Sequence, residues 1–165
     1  MKAFRVVVDS SCLIDLAEVK QFELLKKLFS EVYIPEAVYE EVAVKGKNEV
    51  GSKETKKAIQ DGWIEKKAVI DKIAVQSLSS TLGKGESEVI VLYKELKFDY
   101  ALIDEKTARD VAELMDVNVI GIIGTIDLAI EKGFHLDKRR LVDQLIEMGF
   151  RISDRLYKRM FPNSK

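Results

Sequence analysis

Along the chain, short runs of β-branched apolar residues alternate with longer stretches in which apolar positions recur every three or four residues. The first run, Phe4-Arg5-Val6-Val7-Val8, ends at once on Asp9-Ser10-Ser11. It predicts a buried strand closing in a turn, with Ser10 or Ser11 capping a helix that holds Leu13, Ile14, Leu16 and Ala17. A second amphipathic stretch, 22–29, sets Leu24, Leu25 and Leu28 on one face. Glu31-Val32-Tyr33-Ile34 reads as another strand. Pro35 then suits the first turn of a helix through Ala37, Val38 and Val42. Residues 45–62 read as a loop with an exposed helix around 53–60, before a short edge strand at Trp63-Ile64-Glu65. Leu82-Gly83-Lys84-Gly85 reads as a turn into a helix over 86–97. Tyr100-Ala101-Leu102-Ile103 predicts a strand ending in Asp104, followed by a helix over 106–115. Residues 117–120 predict one more strand, and Gly121 and Gly124 mark a tight turn into a helix ending near Gly133. A helix over 137–148 and a last one capped by Ser153 complete the chain.

Strands alternating with helices predict an α/β sandwich with a mostly parallel sheet. No repeat or linker divides the chain, so one domain is expected over 1–165, with a helical tail from about 134.

Composition narrows the chemistry. At 165 residues, 47% apolar and 33% charged, the chain can bury a core without disulfide staples and is not disordered in character. Its 27 basic and 28 acidic residues leave no overall basic footprint for nucleic acid, although the tail gathers Lys138, Arg139, Arg140, Arg151 and Arg155. A single cysteine, Cys12, excludes a disulfide framework and a multi-cysteine zinc site. A single histidine, His135, excludes histidine-rich metal centres. No apolar run reaches the eighteen or so residues of a membrane span, and the first residues lack the pattern of a signal peptide. The expectation is a cytoplasmic protein with no membrane partner.

In open α/β sheets, sites form beyond the carboxyl ends of the strands. Asp9 and Asp104 stand at such ends, where each also suits a helix cap. On the helix after Pro35, Glu41 falls at the edge of the apolar face and Glu40 points away. Glu86 and Glu88 open another helix about 200° apart, and a helical wheel leaves open which of them faces a site. Acids in a first helical turn also stabilise the helix itself. Several carboxylates without histidine or cysteine partners suit a hard cation, Mg²⁺ or Mn²⁺. Crowded carboxylates repel one another unless such an ion neutralises them. The ion can lower the pKa of a bound water and stabilise phosphodiester oxygens, which points to phosphoryl chemistry.

Several segments recur in a recognisable order. They are Val6-Val7-Val8-Asp9-Ser10-Ser11, Ile34-Pro35-Glu36-Ala37-Val38-Tyr39-Glu40-Glu41-Val42, Gly83-Lys84-Gly85-Glu86-Ser87-Glu88 and Leu102-Ile103-Asp104-Glu105-Lys106-Thr107-Ala108-Arg109. Gly121-Ile122-Ile123-Gly124 and Gly149-Phe150-Arg151-Ile152-Ser153 follow. Over nearly the whole chain this set resembles the PIN-domain family, in the prokaryotic subgroup of predicted nucleic-acid-binding proteins related to toxin–antitoxin ribonucleases. The resemblance implies an α/β/α sandwich with an acidic pocket for Mg²⁺ or Mn²⁺. It implies endoribonuclease activity on RNA, in many members as a toxin held by an antitoxin protein, and a homodimer. Matched position by position, Asp9 is the first acid, Glu41 the second, Glu86 or Glu88 the third and Asp104 the fourth. The metal ligands implied are Asp9, Glu41, Glu88 and Asp104, with Ser10 and Ser11 supporting Asp9. Arg109, one helical turn past Glu105, is expected to pair with it, the other readings being a pocket acid or a phosphate. Two departures stand out: glutamate replaces the common third aspartate, and Asp104-Glu105 replaces a common Thr-x-Asp. They leave an alternative, a catalytically weak or inactive PIN-fold module that binds RNA or a protein partner.

Overall fold

Val6, Val7 and Val8 are fully buried. A strand covered on both faces reads as an unbroken apolar run rather than an alternation, and this run forms the central strand of the sheet. The structure, a computed structural model, describes residues 3–163. Its strands are β1 (Arg5–Val8), β2 (Glu31–Pro35), β3 (Ile64–Lys67), β4 (Tyr100–Leu102) and β5 (Val119–Ile120). They form one parallel sheet in the order β3-β2-β1-β4-β5. The register sets Val8 beside Leu102, so Asp9 and Asp104 leave the sheet at the same end. The chain winds outward from β1 to β3, then starts again at β4 on the other side. The carboxyl ends of β1 and β4 therefore flank the point where strand order reverses, the place where open α/β sheets bind ligands.

The helices are α1 (Ser10–Glu18), α2 (Leu24–Leu28), α3 (Glu36–Tyr39), α4 (Ser52–Gln60), α5 (Lys72–Leu78), α6 (Lys84–Leu96), α7 (Lys106–Leu114), α8 (Ile122–Glu131), α9 (Lys138–Glu147) and α10 (Asp154–Met160). Helix α6 lies against β1, β2 and β4, with α3, α5 and α7 beside it, while α1, α2 and α8 pack together in the opposite layer. The architecture is an α/β/α sandwich around an all-parallel sheet. Among the described residues, no helix is long and apolar enough to cross a membrane.

The structure departs from the sequence expectations at four places. Asp9, not Ser10 or Ser11, caps α1, accepting from the Ser10 N–H. The expected single helix after Pro35 is α3 followed by a π-helical turn, Glu40–Lys45. A wheel drawn at 100° per residue fails there, and such widened turns often re-aim side chains at functional sites. Helix α5 was not foreseen: Val75 is its one buried residue, so its apolar period is faint, and Asp71 starts it by accepting from Ala74 N at 3.0 Å. Helix α6 begins at Lys84 rather than Glu86, and the Glu86 carboxylate accepts from the preceding Gly83 N–H at 3.0 Å. Trp63, just before β3, packs edge-on against Phe22, with ring centres 5.6 Å apart.

Candidate active site

Asp9 leaves the central strand only 3% exposed. Its Oδ1 accepts from Ser10 N at 2.8 Å, while its Oδ2 accepts no hydrogen bond among the described residues. Ser10 Oγ donates to Glu41 Oε2 at 2.7 Å and lies 3.4 Å from Asp9 Oδ1. One hydroxyl thus sits between the first acid and the second. The other oxygen of Glu41 lies over the first turn of α6. A β-carbon on Gly85 would stand 2.6 Å from it, so glycine is what leaves that oxygen its place. Glu86 comes next on the helix and is half-buried. Burial lifts the Asp9 carboxyl to about 7, with the negative charges of Glu86 and Glu41 adding to it and the Ser10 N–H opposing it. Burial also raises Glu86, the Gly83 N–H opposes, and Glu105 and Glu41 add to the rise.

Asp104 follows β4. Both its oxygens accept from Ile122 N, the first N–H of α8, at 3.2 Å, and Cys12 Sγ lies 3.6 Å from Oδ2. A β-carbon on Gly121 would stand 2.5 Å from Asp104 Oδ1. Gly121 has φ −98°, which any residue adopts. Gly121 is the single residue of the tight strand-to-helix turn that the sequence suggests, and the close approach of a carboxylate, not backbone strain, calls for glycine there. Burial raises Asp104, opposed by the Ile122 N–H, the Cys12 thiol and the charge of Arg109. Asp104 does not cap α7. Glu105 does, accepting from Ala108 N at 2.7 Å. That contact also corrects the expected Arg109–Glu105 pair, since Arg109 reaches back to the Asp104 corner. Its Nη1 comes within 3.7 Å of where a β-carbon on Gly121 would stand.

The acids form two adjoining groups. Asp9, Glu41 and Glu86 act on one another, and Asp104 acts on Asp15. The buried thiol of Cys12 joins them: burial pushes it up, then Asp104, then Asp9. Sequence reasoning missed Asp15, which burial and then Asp104 raise to about 6. The available signal was one acid interrupting the apolar run Leu13-Ile14-Asp15-Leu16-Ala17.

Glu88, one of the implied ligands, has a backbone partner in the core. It is 3% exposed, and its Oε1 accepts from Ala37 N at 3.0 Å, in the first turn of α3. It caps that helix from across the core, and of the two glutamates it is Glu86 whose charge bears on Asp9. Ser11 is exposed and its hydroxyl serves Cys12, so of the two serines only Ser10 supports Asp9.

A family model described as DUF3368, PIN domain, matches residues 5–165. The chain belongs to the PIN-domain family. The PIN fold is nuclease-like. A solved structure described as a domain of a functionally unknown protein from Methanocaldococcus jannaschii DSM 2661 is similar, at 17% identity and a TM-score of 0.49, over 73% of this chain and 91% of that one. No curated protein matches this chain.

PIN domains generally use divalent metals. The donors in this PIN domain fit a hard cation, being carboxylate and hydroxyl oxygens. Asp9 Oδ2 is uncommitted, and Gly85 makes room for the Glu41 carboxylate where a β-carbon would crowd it. Among the described residues, no three acid, histidine or cysteine groups are drawn into one coordination shell. Glu41, Glu86 and Asp104 are engaged instead by Ser10 Oγ, Gly83 N and Ile122 N.

Proposed function

We propose that this PIN domain is a Mg²⁺- or Mn²⁺-dependent ribonuclease that cleaves phosphodiester bonds in RNA. One observation carries the reading: Asp9, Ser10 and Glu41 stand in a hydrogen-bonded row beside Glu86, at the switch point of the sheet. Asp9, Glu41 and Glu86 would hold the ion, with Asp104 on the adjoining strand end. The ion would neutralise these carboxylates and stabilise the oxygens of the phosphate under attack. Ser10 sets the orientation of two acids at once, through its N–H on Asp9 and its hydroxyl on Glu41. Asp9 is 3% exposed, so an ion on it would be largely shielded from water. Gly85 keeps the Glu41 carboxylate against α6.

The test is cleavage of a labelled RNA oligonucleotide with Mn²⁺. Asp9→Asn should lose more than 100-fold in rate while keeping the wild-type circular dichroism spectrum. A variant that cuts as fast as wild type overturns the assignment. A toxin role, a neutralising antitoxin and a homodimer rest on the family resemblance alone.

One observation favours a second reading, a PIN-fold module without catalysis. Protein donors already occupy oxygens of Glu41, Glu86 and Asp104. Calorimetric titration with Mn²⁺ separates the two: saturable binding in the millimolar range or tighter supports the nuclease, and its absence supports the module.

A further inference from the structure

Beside Asp104 opens a cavity of about 280 Å³. Arg109 of α7, Ile123 of α8, and Phe150, Arg151 and Ile152 between α9 and α10 contribute to its wall. Three stretches far apart in sequence thus place two arginines and a phenylalanine in the wall of one small hollow. Among the described residues, neither Arg109 nor Arg151 is in an ion pair. Like charges in one hollow repel each other, and an anion between them relieves that repulsion. Asp104 is the one acid in the wall, and both its oxygens already accept from Ile122 N. A guanidinium carries five N–H donors, so Arg109 can lean on Asp104 and still grip a phosphate.

We propose that this cavity binds one nucleotide of single-stranded RNA next to the acid group, with Arg109 and Arg151 on its phosphate and the Phe150 ring against its base. The proposal rests on the nuclease reading for its substrate class. It adds where the strand lies: across the β4–α8 corner, with its neighbouring phosphate directed to Asp9. Base stacking on an aromatic ring beside a cationic phosphate grip is a sequence-tolerant way to hold a single strand. This charge arrangement also reconciles an overall neutral chain with a nucleic-acid ligand, since the cations are local.

The experiment measures anisotropy of a labelled single-stranded RNA oligonucleotide with the full chain in EDTA, so that no cleavage occurs. Arg109→Ala and Arg151→Ala should each weaken binding about 10-fold and reduce the salt slope by about 0.7. Arg109→Lys, which keeps the charge and the stem, should recover part of the loss and guards against a folding defect in the alanine variant. Phe150→Leu should weaken binding about 5-fold with little change in salt slope. Arg155→Ala, outside the cavity wall, should change it less than 2-fold. Arginine variants that bind like wild type, or a wild type that binds no RNA, overturn the proposal. Cleavage with Mn²⁺ is scored separately. Arginine-dependent binding without cleavage supports this site and sinks the nuclease reading, whereas cleavage with arginine-independent binding does the reverse.

Discussion

Glu41 Oε1 lies 2.6 Å from where a β-carbon on Gly85 would be. A π-helical turn after β2 and the opening turn of α6 meet at this point, and the meeting is possible because one of the two residues lacks a side chain. Gly85→Ala therefore separates stability from activity. Alanine is the better helix former by about 1 kcal/mol, and the exposed end of Glu41 can swing aside. The melting temperature should hold or rise while RNA cleavage falls at least 10-fold. Equal cleavage would show that Glu41 takes no part.

The two glutamates of α6 have different work. Glu88→Ala leaves the α3 N–H at Ala37 unpaired in the core and should cost about 1–3 kcal/mol in urea unfolding. Glu88→Gln still accepts from that N–H and should keep both fold and cleavage. Glu86→Gln should keep stability within about 0.5 kcal/mol and lose cleavage. The reverse pattern would restore Glu88 as the ligand.

Asp9 imposes a pH dependence on the metal-free protein. Its carboxyl titrates at about 7 when folded and near 3.9 when unfolded. Between those values the folded chain keeps a proton that the unfolded chain releases. Stability therefore falls as pH rises from about 4 to about 7 and is level above, a loss on the order of 1–4 kcal/mol. Asp9→Asn removes this loss, because the amide oxygen still accepts from Ser10 N. In EDTA at pH 8 the variant should be the more stable protein, with the gap closing towards pH 4. Parallel pH profiles for the two proteins would exclude Asp9 as the group responsible.

Metal addition should work against that same burden. At ten times its dissociation constant, Mn²⁺ should stabilise the wild type at pH 8 by about 1.4 kcal/mol, read as a rise in melting temperature. Asp9→Asn and Glu41→Gln should lose most of the rise. A rise that survives both substitutions places the ion elsewhere.

Gly121→Ala probes the other strand end. Displacing Asp104 from the first N–H of α8 should destabilise the protein by about 1 kcal/mol and disturb cleavage as well. A loss confined to stability would make Asp104 a helix cap and nothing more.

Much of the layout was legible in the chain. The unbroken run Val6-Val7-Val8 announced a strand covered on both faces, and the acids at its end and after Leu102 announced the switch point of a parallel sheet. Such patterns are local, because burial writes itself into neighbouring residues. Glu86 and Glu88 defeated local reading for the same reason: both sit in the first turns of one helix, and what distinguishes them is α3, which presents its N–H to Glu88 from fifty-one residues away. The π turn at Glu41 and the glycines under two carboxylates were equally hidden, since a wheel assumes regular turns and a glycine looks the same in a bend as beneath an oxygen. Sequence by itself determined which residue types reach the end of the sheet. Only the tertiary structure decided which of them meet, because that depends on contacts between segments whose approach no neighbour in the chain records.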